Sequence, residues 1–134
     1  DPDTVVGLAD GGAHVAFICD ASIPTFMLTH WARDRERGPR LPLPEVVRRL
    51  TSQPADLYGL TDRGRIEVGA RADLNIIDFA ALTLQPPVVA HDLPKGGARI
   101  LQGAVGYDAT IVAGQITRRH GVDTGARPGR LIRS

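Results

Sequence analysis

Residues 4–22, TVVGLADGGAHVAFICDAS, contain the pattern that most constrains the fold. The apolar run at positions 4–9 is followed by Asp10 and the pair Gly11-Gly12, which predicts a buried strand that ends in a turn. Binding loops gather at the carboxyl ends of strands in α/β proteins, so a carboxylate at this point is placed for chemistry. Asp10 could instead hydrogen-bond its own backbone and cap the turn. On position alone, both roles stay open.

A helix is predicted directly after this stretch. Ser22 or Thr25 can cap it and Pro24 suits its first turn, so we expect a helix from about Thr25 to Arg35. The mixed-charge run at 33–37 is interpreted as a solvated helix end.

A second helical segment begins near Pro44, with Glu45 at the positive end of the helix dipole. Its apolar stripe comprises Val46, Val47 and Leu50. Pro54 is expected to interrupt it, and a short helix from Ala55 to Tyr58 ends at Gly59. This pattern indicates a packing unit rather than a site.

After Leu60 the pattern becomes that of strands. Residues 65–69 predict a short strand, and residues 72–79 alternate and are rich in β-branched side chains. Residues 109–117 predict a hairpin with Gly114 at its turn. We therefore expect a helix-rich first half and a strand-rich second half.

The composition is that of an ordinary globular protein. Hydrophobic residues make up 43% of the 134 residues, charged residues make up 23%, and the formal net charge is +1. This weak charge predicts neither a nucleic-acid partner nor a membrane surface. No apolar run approaches the roughly 20 residues of a membrane span. The single cysteine, Cys19, excludes an internal disulfide and fits a reducing cytoplasm.

The start of the chain is unusual. It begins with Asp1-Pro2, its only methionine is Met27, and its first predicted strand has no earlier partner. These features predict a C-terminal piece of a longer protein or a processed chain. A recombinantly expressed piece would look the same.

Metal chemistry is not supported by these residues alone. A catalytic zinc site normally takes three protein ligands and leaves one position open. Besides Asp10, the chain offers four scattered histidines: His14, His30, His91 and His120. They form no His-x-His and no pair at helical spacing, so no zinc site can be assembled from them.

The other titratable residues are interpreted as structural. Adjacent residues of an extended chain do not face each other, so His91-Asp92, in the turn-rich connection 91–97, is not expected to be a catalytic pair. No activating base lies near Cys19 in the sequence. Structural roles are expected for Cys19, His30, Asp73, Asp78, His91 and Asp92.

Several blocks resemble a known family. GLADGGAHVAFICDAS at 7–22 and LTHWARD at 28–34 resemble the N-acyl-D-amino-acid deacylases, a branch of the metal-dependent amidohydrolases. DRGRIEVGARADLNIID at 62–78 is common to the wider superfamily. The similarity continues through HDLPKGGARILQGAVGY at 91–107 and the tail at 110–134, so it covers nearly the whole chain.

The resemblance implies a fold and a place within it. The chain would be α/β, the C-terminal fragment of a TIM-barrel amidohydrolase, with the last barrel strand and the helices that follow it. Residues 1–60 would end the (β/α)8 catalytic barrel, and residues 61–134 would form the C-terminal part of a small β-sandwich domain. The remaining sandwich strands would come from the N-terminal remainder of the same enzyme.

The resemblance also implies a reaction and a site. Asp10 matches the acidic residue after the last barrel strand, which binds or approaches the metal, accepts the water proton and passes it to the leaving amine. The metal would be zinc, with its other ligands on earlier strands outside this chain. His14 lies on the same loop and is a candidate substrate contact. The substrate would be a small N-acyl-D-amino acid, and the isolated chain would be inactive.

The sequence leaves two other functions to compare with this one. A non-catalytic β-rich binding or oligomerisation module would place the working surface in the strands after Arg65, with Asp10 as a turn residue only. A cysteine or serine hydrolase is disfavoured because Cys19 and Ser22 lack a recognisable base partner and a nucleophile-elbow motif.

Overall fold

The structure, a computed structural model, describes residues 4–7, 17 and 20–132. The predictions for Asp10, His14 and Cys19 therefore fall outside the described residues. Of the strand predicted at 4–9, only residues 4–7 are described, and they form no strand. Val5 is 37% exposed, and no described strand pairs with this segment. A buried strand needs neighbours to satisfy its backbone, and none of the described strands supplies one.

The helical half starts with one long segment. A 3-10 turn, Asp20–Ser22, leads into α1, Ile23–Phe26, which continues as a π-helix, Met27–Asp34. The N–H of Arg35 donates to the carbonyl of His30 at 2.8 Å, the five-residue separation of a π-helix. The predicted helix at 25–35 is thus confirmed.

The predicted cap of this helix is wrong. Ser22 has helical backbone angles and makes no side-chain cap hydrogen bond, because the 3-10 turn already continues the chain into the helix. The hydroxyl of Thr25 instead lies 2.8 Å from the hydroxyl of Tyr107.

Two shorter helices complete this half: α2, Leu43–Leu50, and α3, Ser52–Leu57. The helix predicted near Pro44 is confirmed. The second helix begins earlier than predicted, because Pro54 lies inside its first turn, where the missing N–H would have no helical partner. Within the expected stripe, Val46 is fully buried but Val47 is 43% exposed.

The described residues of the strand-rich half form eight short strands. They are β1, Leu74–Ile77; β2, Thr83–Leu84; β3, Val88–Leu93; β4, Gly97–Leu101; β5, Ala104–Val105; β6, Tyr107–Val112; β7, Gln115–Arg119; and β8, Val122–Asp123. They form an antiparallel sheet in the order β1-β6-β7-β8 and two separate antiparallel pairs, β2–β5 and β3–β4. The predicted strand at 72–79 and the hairpin at 109–117 are confirmed as β1 and β6–β7.

Two predictions in this half are wrong. Residues 65–69 form no strand, and Ile66 is 90% exposed, because no described strand pairs with them. The turn-rich connection expected at 91–97 is shorter: only a 3-10 turn, Pro94–Gly96, separates β3 from β4. Leu93 at the end of β3 pairs with Gly97 at the start of β4, since the two strands are adjacent along the chain.

One core joins the two halves. Leu28, Val46 and Leu82 pack together, and the latter two are fully buried. Leu28 and Val46 lie before residue 60 and Leu82 lies after it. Residue 60 therefore marks a change of secondary structure inside one packed unit, and the domain division at this point stays a prediction.

No helix in the part of the chain that the structure describes is long and apolar enough to cross a membrane.

Candidate functional site

The candidate catalytic segment is described only at its two flanks. Val6 and Gly7 on one flank, and Ile23 and Pro24 on the other, line the same small cavity of about 150 Å³. The side-chain amide of Gln53, on α3, donates to the carbonyl of Thr4 at 3.3 Å. Both flanks of the segment that contains Asp10 and His14 therefore lie against the same part of the helical half, around Leu50 and Pro54.

The helix after this segment is fastened near its N-terminal end by one hydroxyl contact. Thr25 is 7% exposed, and its hydroxyl and that of Tyr107 lie 2.8 Å apart. Thr29 donates its hydroxyl to the carbonyl of Thr25 at 3.1 Å. Both contacts satisfy buried polar groups, and the Thr25–Tyr107 contact ties the helix to β6.

Arg33 fastens the other end of the helix. Its Nη1 donates to the carbonyls of Phe79, at 2.5 Å, and Ala80, at 3.2 Å, and its Nη2 donates to the carbonyl of Leu82 at 2.8 Å. Asp34 accepts two further hydrogen bonds, from Nε at 2.7 Å and from Nη2 at 2.9 Å. The Asp34 hydrogen bond raises the pKa of Arg33 and the same bond lowers the pKa of Asp34.

Sequence reasoning missed Arg33, which lies in a run interpreted as a solvated helix end. Nothing in the local sequence separates it from the neighbouring arginines at 35 and 37. The three carbonyls that it binds lie 46 to 49 residues away along the chain, so only the fold reveals this role.

The described histidines have separate surroundings. The ring of His30 stacks on Phe26 at 4.8 Å and meets Trp31 edge-on at 5.5 Å. Nδ1 of His91 lies 3.3 Å from the carbonyl of Gly96. Nδ1 of His120 lies 3.6 Å from a carboxylate oxygen of Asp108. They do not converge on one point.

The acidic residues interpreted as structural are confirmed in that role. Asp92 accepts two hydrogen bonds from Arg99, at 2.7 and 2.6 Å, so it does not pair with its neighbour His91. Asp78 accepts the N–H groups of Ala80 and Ala81, both at 3.1 Å.

Asp73 likewise has a structural role. It accepts the N–H of Ala113 at 2.8 Å and pairs with Arg71 at 2.9 Å. The hydrogen bond from Ala113 ties the start of β1 to the β6–β7 turn. Across residues 4–7, 17 and 20–132, no group of three or more His, Cys, Asp or Glu side chains could hold a metal ion. The described residues therefore do not fit a metal site.

A larger cavity of about 440 Å³ lies between the helices and β1. Its apolar lining residues include Leu28, Leu50 and Ile77. Its polar lining residues include Arg65 and Tyr107. Arg65 is already paired with Asp56, which lies outside the cavity lining, at 2.6 Å. The volume is in the range of ligand sites, but no catalytic group points to chemistry here.

The chain matches the Amidohydrolase family over residues 1–118 and belongs to that family. Amidohydrolases hydrolyse amide-type bonds and are in general metal-dependent.

Two curated relatives are deacylating enzymes. The chain is 32% identical over 118 residues to an N-acyl-D-glutamate deacylase of Alcaligenes xylosoxydans xylosoxydans, covering 81% of this chain and 20% of that protein. It is 29% identical over 100 residues to a deacetylase of Enterococcus faecalis, covering 64% of this chain and 26% of that protein. The predicted resemblance to the N-acyl-D-amino-acid deacylases is confirmed.

The chain spans only 20% and 26% of the lengths of these two relatives. No solved structure matches it significantly.

Proposed function

We propose that the chain is the C-terminal part of an amidohydrolase that removes the acyl group from N-acyl-D-amino acids. The reaction hydrolyses a linear amide to a carboxylate and the free D-amino acid. The observation that carries this proposal is the 32% identity over 118 residues to an N-acyl-D-glutamate deacylase. In the proposed whole enzyme, residues 1–60 complete the catalytic barrel and residues 61–134 belong to the β-sandwich.

Asp10 is the proposed catalytic residue. A carboxylate at this point would accept the proton of the attacking water and return it to the leaving amine, which is general acid–base catalysis. His14, four residues later, is proposed to contact the substrate. Asp10 is also a proposed metal ligand, and the proposed metal is zinc. The other ligands are proposed to lie on the remainder of the enzyme, and the described residues form no metal site.

The proposed partner of this chain is the N-terminal remainder of the same enzyme. β1 is an edge strand, because it pairs with β6 alone among the described strands. Ile66, which is 90% exposed, lines the cavity of about 440 Å³ together with Leu74 and Asn75 of β1. An open strand edge next to an exposed apolar side chain favours the addition of a further strand.

The other proposed partner is the small N-acyl-D-amino acid, and the proposed location is the cytoplasm. The net charge of +1 favours neither nucleic acid nor a membrane as a partner.

The test uses a longer polypeptide that contains residues 1–134 and has deacylase activity. Asp10→Asn should lower kcat by about 100-fold to 10,000-fold, because general acid–base catalysis contributes that much. The matched control is Asp20→Asn, an exposed aspartate at the start of the 3-10 turn, which should retain wild-type kcat. Normal turnover by the Asp10 variant would refute the assignment. The isolated chain should show no activity in the same assay.

A binding or oligomerisation module is the second candidate, favoured by the same open edge of β1. In that case the chain would act alone and self-associate without zinc. Sedimentation with and without a chelator separates the two functions. A chelator-insensitive dimer, together with a native polypeptide of 14.3 kDa in source cells, would support the module.

A further inference from the structure

The loop between β1 and β2 presents three carbonyl oxygens to one cation. The carbonyls of Phe79, Ala80 and Leu82 all accept hydrogen bonds from the guanidinium of Arg33. The guanidinium also lies 5.6 Å from the centroid of the Phe79 ring, and the Arg33 side chain is only 25% exposed. We call residues 79–82 the acceptor loop.

The acceptor loop is held in place without Arg33. The N–H of Asp78 donates to the carbonyl of Gly106 at 2.8 Å. The Asp78 carboxylate accepts the N–H groups of Ala80 and Ala81. Leu82 is fully buried in the core. A Cβ at Gly106 would lie 2.7 Å from Cα of Leu82, so the two backbones are in close contact. The three carbonyls therefore form a preformed acceptor.

The guanidinium is also held in place on the helical side. Asp34 accepts two parallel hydrogen bonds from it, which orients the planar fork toward the loop. A lysine could not reproduce this, because a single ammonium cannot bond a carboxylate in two places and three carbonyls at once. The contact is thus specific for arginine.

We propose that Arg33 is a positioning residue that fastens the helical segment Ile23–Asp34 to the acceptor loop. Together with the Thr25–Tyr107 contact, it fixes both ends of this segment on the strand-rich half. This helical segment begins shortly after residues 8–19. Fixing its position therefore fixes the point to which the chain leads after Asp10. Only this last step rests on the proposed function.

The fastening is tested on the 134-residue chain by chemical rescue. Arg33→Ala should lower the Tm by about 5 °C or more, because hydrogen bonds to a charged group are lost. Guanidinium at about 20 mM, far below denaturing concentrations, should recover part of the loss in a saturable way. The control is Arg37→Ala, which replaces an exposed arginine four residues later. The Tm of this variant should not fall and should not rise when guanidinium is added. An unchanged Tm, or an equal response in both variants, would overturn the proposal.

Arg33→Lys is the second variant if Arg33→Ala does not fold. Its amide hydrogen exchange should rise at residues 23–34 and at residues 78–82 together, by about tenfold, while β6–β7 keeps its protection. Faster exchange confined to one of the two segments would contradict the coupling between them.

The positioning step is tested in the active longer polypeptide. There Arg33→Lys should lower kcat by about tenfold with less than a twofold change in KM, and Arg33→Ala should regain kcat when guanidinium is added. Unchanged kcat in folded variants would show that Arg33 does not position the site. If no longer polypeptide has deacylase activity, the proposed function fails, while the melting and exchange results still decide the fastening.

Discussion

The helical half and the strand-rich half reach their common core in different ways. The helical half contributes Leu28 and Val46 from regular helical positions. The strand-rich half contributes Leu82, which lies in a loop rather than in a strand and is as fully buried as Val46. Among its described strand residues, only Ala109 is buried to a comparable degree.

This difference shows what joins the halves. The strands are held mainly by their own antiparallel hydrogen bonds, and most of their side chains are half-buried or exposed. The acceptor loop instead carries both the buried side chain and the carbonyls that bind Arg33. Changes to this loop should therefore cost more stability than changes to the strands.

The largest effect is expected for Leu82→Ala. Replacing a fully buried leucine removes apolar contacts and leaves a cavity, so the free energy of unfolding should fall by about 2–5 kcal/mol. Leu131→Ala makes the same change at a site that is 79% exposed and should have almost no effect. Urea unfolding measures both. Equal losses in the two variants would show that the loop does not join the halves.

A smaller effect is expected for Gly106→Ala. Its φ is +100°, and a Cβ would lie within 3.0 Å of backbone atoms of Leu82 and Asp78, so the substitution should cost about 2–4 kcal/mol. Gly114→Ala is the matched control: its φ is +77°, but a Cβ there meets nothing within 4 Å, so strain alone should cost about 1–2 kcal/mol. Thermal unfolding should rank the two variants, and the reverse order would argue against a tightly packed loop.

Elements that depend on local contacts could be predicted from the sequence. The helices at 25–35 and near Pro44, and the hairpin at 109–117, follow from local periodicity and turn residues, and the structure contains them. These elements depend on residues close together in the sequence. The strand predicted at 65–69 is absent because a strand also needs a partner, which its own pattern does not supply.

The contacts that join the halves could not be predicted. Arg33 and the carbonyl of Phe79 are 46 residues apart, and Thr25 and Tyr107 are 82 residues apart. No period or motif connects such positions. The role of Asp10 came from the family resemblance and that of His14 from its place on the same loop, and both remain predictions.

Surface ion pairs should give the smallest effect, and they allow the two halves to be compared directly. In the helical half, hydrogen bonds from Arg48 and also Arg49 lower the pKa of Glu45 from 4.5 to about 2. In the strand-rich half, hydrogen bonding to Arg99 is the largest cause that lowers the pKa of Asp92. Both pairs are reached by solvent, so salt should weaken them.

The sign of the pH dependence follows from the lowered pKa of Glu45. Its contribution to stability is fully present above about pH 4.5 and is lost as the pH falls through about 2. Glu45→Gln lacks this contribution, so its Tm should fall less than that of the wild type between pH 4.5 and 2. Asp92→Asn should change the acid dependence less, because Asp92 has a single arginine partner. Identical acid profiles for the wild type and Glu45→Gln at low salt would mean that the arginine pair on α2 does not contribute to stability.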